Sequence, residues 1–149
     1  MIYSYKAFDE LIQILQDASD WCEALRYSPS EEMLAAGSHD FNIYIYQVSQ
    51  NDDDNDEEKY MLLNIVKDRH TAPITALDWS CDSTLIRAID SHYFKNFYNI
   101  EKGRQVHDGQ QSLTDPSIWW THSCKLGWDV NGVYAQGAQG TDIHSVSVN

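Results

Sequence analysis

The sequence has few basic residues and no long apolar run. Lys and Arg number 10 against 23 Asp and Glu, so the formal net charge of the 149 residues is −13. Direct nucleic-acid binding is therefore not expected, because neutralising phosphates requires clustered Lys and Arg. No run of about 18 apolar residues occurs, so we expect no membrane span. The first residues also lack the basic-then-apolar order of a signal peptide.

Cysteines and ligand-binding motifs are equally scarce. The three cysteines, Cys22, Cys81 and Cys124, are far apart and form no C-x-x-C pair, which indicates reduced thiols in a cytosolic protein. The six histidines show neither H-x-x-x-H nor H-E-x-x-H spacing, and no G-x-G-x-x-G or P-loop is present. We therefore expect no metal, no cofactor and no enzymatic activity.

What the sequence does contain is a series of short strand-like segments about ten residues apart, separated by turn residues. This pattern is typical of an all-β sandwich, barrel or propeller. The segment Phe8–Gln16 fits a helix or a strand, and its alternating core LIQIL favours a strand. The other predicted strands are Glu32–Ser38, Phe41–Val48, Tyr60–Asp68, Pro73–Ser80, Ser83–Asp90 and Phe94–Ile100.

One of these strands is bulky on both faces. In FNIYIYQV, Ile43 and Ile45 alternate with Tyr44 and Tyr46. Successive side chains of a strand point to opposite faces, so we expect this strand to be covered on both sides.

The sequence also repeats internally. Trp21–Val48 aligns with Pro73–Ile100 at an offset of 52 residues, with Tyr27 opposite Trp79. The acidic insert Gln50–Lys59 accounts for about ten of these residues. The remaining period of about 42 is that of a four-stranded propeller blade.

Ser38, His39 and Asp40 allow two interpretations, a catalytic triad or a turn between strands. Three consecutive residues at a strand end project in different directions, which argues against a triad. In a turn, Asp40 would bond the backbone of its own turn, and Gly37 would allow close approach of another chain segment. We therefore favour the turn.

Three segments resemble the WD-repeat propellers of the echinoderm microtubule-associated protein-like (EMAP-like) family. They are Leu25–Ser49, His70–Ile86 and, most specifically, Ser117–Asn149. The last segment carries the family pattern W-x-T-x-x-C-x-L-G, then V-x-G-[IV]-[WY], then G-T-D-I. The matching residues are Trp119 (or Trp120), Thr121, Cys124, Leu126, Gly127, Val130, Gly132, Val133, Tyr134, Gly140, Thr141, Asp142 and Ile143.

The resemblance implies an all-β, WD40-type partial propeller of about two full blades with flanking partial blades. Residues 1–20 would end a preceding blade. Residues 21–69, with the acidic insert 50–59, and residues 70–116 would each form a blade. Residues 117–149 would form the atypical blade segment. The structural motif positions are then Gly37, Asp40, His70, Trp79, Gly127, Gly132 and Asp142.

Two departures from the family pattern stand out. His92 occupies the position where an Asp is usual, and Tyr98-Asn99 replaces Trp-Asp. These departures argue against the buried His–Asp network that often ties a blade together, in which His70 would take part. Those replacements are the first departure, in the blade motif. The second departure is the chain length, since a seven-bladed ring at this period needs roughly 290 residues. We therefore expect further blades or a second chain to complete the ring.

The resemblance implies a non-catalytic microtubule-associated scaffold, located at the cytoskeleton in the cytoplasm, with the axoneme of a cilium as the finer expectation. Tubulin would be the partner, and loops are the usual contact sites. The candidate loops are Asn51–Lys59, Gln105–Asp115 and Ala135–Gly140. The alternative is a general WD40 adaptor that recruits a basic peptide or regulatory partner and has no tubulin affinity.

Several other features have a structural and a functional interpretation. The acidic run Asp52–Glu58 is a solvated loop, a contact for a basic partner or a cation site, although it lacks the Gly and the spaced Glu of a calcium loop. GAQGTD, at 137–142, is expected to be a turn rather than a phosphate site. Cys22 and Cys124 are expected to pack as small apolar residues. Packing in the core or between blades, rather than a ligand cage, is the expectation for Trp119, Trp120 and Trp128.

Overall fold

The computed structural model describes residues 2–6, 10–50, 58–106, 113 and 115–124. Within these ranges the regular structure is almost entirely antiparallel β-sheet, followed by a 3₁₀ turn at Pro116–Ile118. No helix in the described ranges is long and apolar enough to cross a membrane. The strands are β1 (Ile2–Lys6), β2 (Glu10–Leu15), β3 (Cys22–Tyr27), β4 (Met33–Ser38), β5 (Ile43–Gln50), β6 (Glu58–Val66), β7 (Ile74–Trp79), β8 (Leu85–Asp90), β9 (Lys95–Asn99) and β10 (Arg104–Val106).

The strands form a hairpin and two four-stranded sheets. β1 pairs with β2, the first sheet has the order β3-β4-β5-β6, and the second has the order β7-β8-β9-β10. Every pair is between sequence neighbours, so both sheets are simple meanders. Each predicted strand is confirmed, including the strand interpretation of Phe8–Gln16, whose residues Glu10–Leu15 form β2. β1, β3 and β10 were not predicted. IYSYK and RQV are short segments without a clear alternation of apolar residues, and CEALRY mixes apolar and charged residues without a regular period.

The backbone repeats with the same offset as the sequence. β7, β8 and β9 begin 52 residues after β3, β4 and β5 respectively. The turns repeat as well, because Glu31 and Ser83 have φ of 61° and 60°. Phe41 and Tyr93, also 52 residues apart, have φ of 71° and 64°. Side chains other than Gly rarely adopt this left-handed conformation, so its recurrence shows that the two sheets share one turn design.

The two sheets pack face to face around the main apolar core. Ile43 and Ile45 of the first sheet meet Ile74, Leu77 and Trp79 of the second, and all five are almost fully buried. On its other face β5 contributes Tyr44 and Tyr46 to a second cluster, which includes Leu15 of β2. The prediction that this strand is covered on both sides is confirmed.

The inter-sheet contact depends on small residues in β4. Ala35 and Ala36 are fully buried, and Gly37 lies directly beneath Ile74. A Cβ added at Gly37 would lie 2.5 Å from Ile74 Cγ2 and 3.4 Å from Ala24 Cβ. Gly37 is therefore required by the close approach of β7 rather than by an unusual backbone angle.

Replacing Gly37 should weaken the contact between the sheets. We expect Gly37→Ala to lower the free energy of unfolding by about 1–3 kcal/mol, since the added methyl overpacks the core. Ile74→Ala removes the opposing Cγ2 atom, so Gly37→Ala should cost at least about 0.5 kcal/mol less in that background. Urea unfolding of the four proteins in this double-mutant cycle provides the measurement. Additive losses would show that Ile74 is not the group that excludes a side chain at Gly37.

Candidate functional site

A fully buried carboxylate on β7 is the most heavily hydrogen-bonded side chain of the second sheet. Asp78 Oδ2 accepts from Arg87 Nε at 2.9 Å and from the N–H of Cys124 at 2.9 Å. Asp78 Oδ1 accepts from Thr121 Oγ1 at 2.6 Å, and from Oγ and N–H of Ser123 at 2.8 and 2.7 Å. The carboxylate is thus surrounded by donors, which fix it as a structural acceptor.

Arg87, on the neighbouring strand β8, completes this junction. Its guanidinium lies 4.6 Å from the centre of the Trp119 ring, within range of a cation–π interaction. Arg87 Nη2 also donates to the Thr121 carbonyl at 3.1 Å and contacts His122 Nδ1 at 3.3 Å. One cation therefore joins β7, β8 and the segment that follows the second sheet.

That segment runs along the free edge of β7. Trp120 N–H donates to the Trp79 carbonyl at 2.8 Å, and Ser123 Oγ, whose single proton is shared with Asp78 Oδ1, lies 2.8 Å from the Leu77 carbonyl. β7 is the edge strand of its sheet, so these bonds satisfy backbone groups that an open edge would leave unpaired.

The two adjacent tryptophans of the segment have different surroundings. Trp119 is buried against Phe97, with ring centres 5.7 Å apart, as expected for packing. Trp120 is 62% exposed within the described residues, so its packing against a further blade stays a prediction. Neighbouring side chains of an extended chain point to opposite sides, so only one of the pair can face the sheet. Trp128 lies outside the described residues.

The pKa shifts fit a structural role. Burial alone would raise the pKa of Asp78, but hydrogen bonds from Thr121, Cys124 and Ser123 lower it below its ordinary value. Burial raises the pKa of the Cys124 thiol well above its ordinary value, and the Asp78 charge adds to this effect. A protonated thiol and a saturated carboxylate offer neither a nucleophile nor a general base.

Sequence reasoning missed Asp78 because it lies inside the apolar strand ITALDW. A signal was nevertheless present, since Arg87 interrupts the next apolar strand, LIRAID. Asp78 and Arg87 are direct cross-strand partners in the β7–β8 register, where opposite charges pair favourably. Two opposite charges in adjacent apolar strands predict such a pair once the register is fixed.

A second buried network joins His70 to Asp90. His70 Nδ1 and Asp90 Oδ2 are 2.9 Å apart, and both side chains are almost inaccessible. The argument that the replacement at His92 removes a His–Asp network is therefore wrong. Asp90 Oδ1 accepts from the N–H groups of His92 and Phe94 at 3.0 Å, so the acid lies two residues earlier and still caps the turn.

The first sheet makes the equivalent connection with different residues. Asp40 Oδ1 accepts from the N–H of Asn42 at 3.1 Å, within the turn that the Ser38-His39-Asp40 sequence predicted. Asp40 Oδ2 accepts from Ser19 N–H at 2.9 Å and from the Tyr44 hydroxyl at 2.7 Å. In both sheets a turn carboxylate therefore forms hydrogen bonds with the segment that leads into the first strand, β3 or β7.

The remaining candidate residues have structural surroundings or lie outside the described ranges. Trp79 Nε1 donates to the Arg26 carbonyl at 3.0 Å and links β7 to β3. Cys22 is partly buried, and burial raises the pKa of its thiol.

No group of His, Cys, Asp and Glu among the described residues could hold a metal ion. Candidates outside the described ranges are Gly127, Gly132, Asp142, residues 51–57 of the acidic insert and the loop 135–140.

Two stacked four-stranded meanders, each with its first strand at an edge and its turns repeated, have the arrangement of neighbouring blades in a β-propeller. With one hairpin before them and one packed segment after them, the described residues form part of such a propeller. The profile of the family described as "Echinoderm microtubule-associated protein second beta-propeller" matches residues 1–149. The chain belongs to this family.

Individual relatives agree with the family match. The chain is 36% identical over 141 residues to the ciliary WD repeat-containing protein ctxp80 of Euplotoides octocarinatus, covering 95% of this chain and 18% of that protein. It is 34% identical to echinoderm microtubule-associated protein-like 4 of Xenopus laevis, covering 92% of this chain and 14% of that protein. It is 30% identical to the 77 kDa echinoderm microtubule-associated protein of Lytechinus variegatus, covering 93% of this chain and 20% of that protein. The chain thus spans a fifth or less of the length of these relatives.

Removing the central carboxylate should detach the segment after the second sheet. We expect Asp78→Ala to lower the free energy of unfolding by about 3–5 kcal/mol, because it leaves the Arg87 charge without its partner in a largely buried site. Thr121→Val removes one donor and should cost about 1 kcal/mol.

Chemical unfolding of these variants provides the measurement, and Asp68→Asn is the matched control. Asp68 is exposed and has φ of 57°, a conformation that Asn tolerates. Its replacement should change stability by less than about 0.5 kcal/mol. Equal losses for Asp78→Ala and Asp68→Asn would contradict the role assigned to the junction.

The His70–Asp90 pair should make stability depend on pH. Burial lowers the pKa of His70, although the Asp90 hydrogen bond opposes this shift. The folded protein therefore holds His70 neutral, while the unfolded chain binds a proton below about pH 6.5. The stabilisation is fully present above that pH and falls as the pH drops, by up to about 1.4 kcal/mol per pH unit.

Unfolding free energies measured between about pH 7 and pH 5 test this expectation. His70→Gln should be less stable at neutral pH and should lose this component of the pH slope. His92→Gln, at an exposed histidine in the same sheet, is the control and should keep the slope. An unchanged slope in His70→Gln would show that another group causes the dependence.

Proposed function

We propose that this chain is part of a non-catalytic scaffold that associates with microtubules, with the ciliary axoneme as its location. The observation that carries the proposal is the match of all 149 residues to a microtubule-associated propeller family. The geometry supports it, because Asp78, Arg87 and Cys124 are all engaged in internal contacts. The chemistry of the described polar clusters therefore serves the rigidity of the fold.

The names of the relatives support both parts of this proposal, the microtubule partner and the ciliary location. Two of them are named as echinoderm microtubule-associated proteins, which supports tubulin or microtubules as the partner. The relative with 36% identity is named as a ciliary protein, which supports the axoneme as the finer location within the cytoskeleton.

Further blades, from the same protein or from a second chain, would complete the ring. Leu25 and Tyr27 of the edge strand β3 are exposed, as are Leu11 and Ile14 of β2. Blade faces normally bury such residues against a neighbouring blade. These apolar residues support the proposal that the described sheets are part of a larger ring.

The tubulin contact would involve surfaces other than the acidic tails of tubulin. The chain carries a net charge of −13, and like charges repel within a Debye length of about 8 Å at physiological salt. Of the candidate loops, the structure describes Gln105, Val106, Leu113 and Asp115 of the second and only the end of the first.

The alternative function is a WD40 adaptor that recruits a basic peptide or regulatory partner without tubulin affinity. The net charge favours this candidate, because a strongly acidic surface attracts basic partners. Binding of this kind weakens steeply with salt, whereas attachment through apolar contacts does not.

Co-sedimentation with polymerised microtubules should separate the two functions. We expect the protein that carries this chain to pellet saturably with microtubules. It should do so equally with microtubules from which the acidic tails have been cleaved, since those tails are repelled. Asp78→Ala, which disrupts the fold of the second sheet, should pellet less, and Asp68→Asn should pellet like the wild type. Failure of the wild-type protein to pellet would favour the adaptor.

Fractionation of isolated cilia tests the axonemal location. We expect the protein to remain with the doublet microtubules after detergent removes the membrane and soluble matrix. Complete release of the protein with the detergent extract would contradict the axonemal location. Microtubule association elsewhere in the cell would then still be tested by the co-sedimentation experiment.

A further inference from the structure

A groove of about 560 Å³ opens between the two sheets, on the side where three turns meet. The β3–β4 turn contributes Ser30, the β7–β8 turn contributes Ser83, and the β9–β10 turn contributes Glu101. Ser30 N–H donates to Ser83 Oγ at 3.2 Å and joins two of these turns across the sheets. The groove is therefore formed by both sheets together and has a volume typical of ligand sites.

The floor of the groove is apolar. Met33 of β4, Leu63 of β6 and Ile100, which follows β9, line it. Ile100 and Met33 are held in the core between the sheets, while Leu63 is 52% exposed. An aliphatic segment laid in the groove would remove Leu63 from water, which is favourable by the usual measure of apolar burial.

The rim of the groove is acidic. Glu32, Asp82 and Glu101 line it and are exposed, and none of the lining residues that the structure describes is basic. Hydrogen bonds from the Ser80 hydroxyl and the Thr84 backbone lower the pKa of Asp82, so this group is ionised at neutral pH. The local charge therefore repels anions and attracts cations.

We propose that this groove binds a basic peptide segment of a partner protein. Lys and Arg combine an aliphatic stem with a cationic head, so the stem can lie on Met33 and Leu63 while the head reaches a rim carboxylate. An acidic segment, such as a tubulin tail, has the wrong charge for this rim. The groove is thus a second binding surface, distinct from microtubule attachment.

The site can be tested with a fluorescein-labelled heptapeptide of alternating Arg and Leu, followed by fluorescence anisotropy on the protein that carries this chain. A peptide with Glu in place of Arg is the ligand control. We expect saturable binding of the basic peptide only, with affinity that falls when salt is raised from about 50 to 300 mM.

Variants then locate the binding. Glu32→Gln combined with Glu101→Gln should weaken binding about fivefold to tenfold, since two exposed ion pairs are lost. Leu63→Lys should weaken it at least as much, because it places a cation in the groove. Glu23→Gln combined with Asp68→Asn removes the same charge from two exposed acids at the opposite end of the first sheet, and should change the affinity less than about twofold.

Microtubule pelleting of the same variants keeps this proposal separate from the proposed function. We expect the groove variants to pellet like the wild type. The groove proposal is overturned if the basic peptide does not bind. It is equally overturned if the Glu23→Gln, Asp68→Asn variant weakens binding as much as the groove variants, since nonspecific charge would then explain it.

Discussion

The buried pair of Asp78 and Arg87 is the constraint on which the end of the second sheet depends. Burying a carboxylate costs several kcal/mol unless its oxygens are compensated, and here most of the compensating donors are Thr121, Ser123 and Cys124. These donors lie 43 to 46 positions further along the chain. The sheet and the segment after it must therefore order together, which explains why W-x-T-x-x-C is spaced as it is.

A related constraint operates at the other end of each sheet. A turn carboxylate, Asp40 in the first sheet and Asp90 in the second, caps backbone N–H groups and also holds the incoming segment through Ser19 or His70. The acids do not occupy equivalent positions in the repeat. The link between turn and incoming segment therefore requires a carboxylate within hydrogen-bond distance, not a carboxylate at one fixed repeat position. Comparing the residues at one repeat position, such as 40 and 92, does not reveal this link.

Asp40, Asp78, Arg87 and Asp90 are engaged in these connections, so the described acidic groups that remain accessible to a partner are at the surface. That surface is acidic, and between the sheets it forms the groove lined by Glu32, Asp82 and Glu101. This acidic surface, together with the family match, is what supports the proposed scaffold role.

The sequence by itself determined seven of the ten described strands, the 52-residue repeat, the turn at Asp40 and the family, because alternation, turn residues and motif spacing are local properties of the chain. Only the tertiary structure decided that Asp90 replaces the acid expected at residue 92, that Asp78 is the buried acceptor, and that Trp119 rather than Trp120 is buried. It alone brought the acidic rim together from three turns. These outcomes depend on strand register and on contacts between residues more than forty positions apart, which local sequence patterns do not encode.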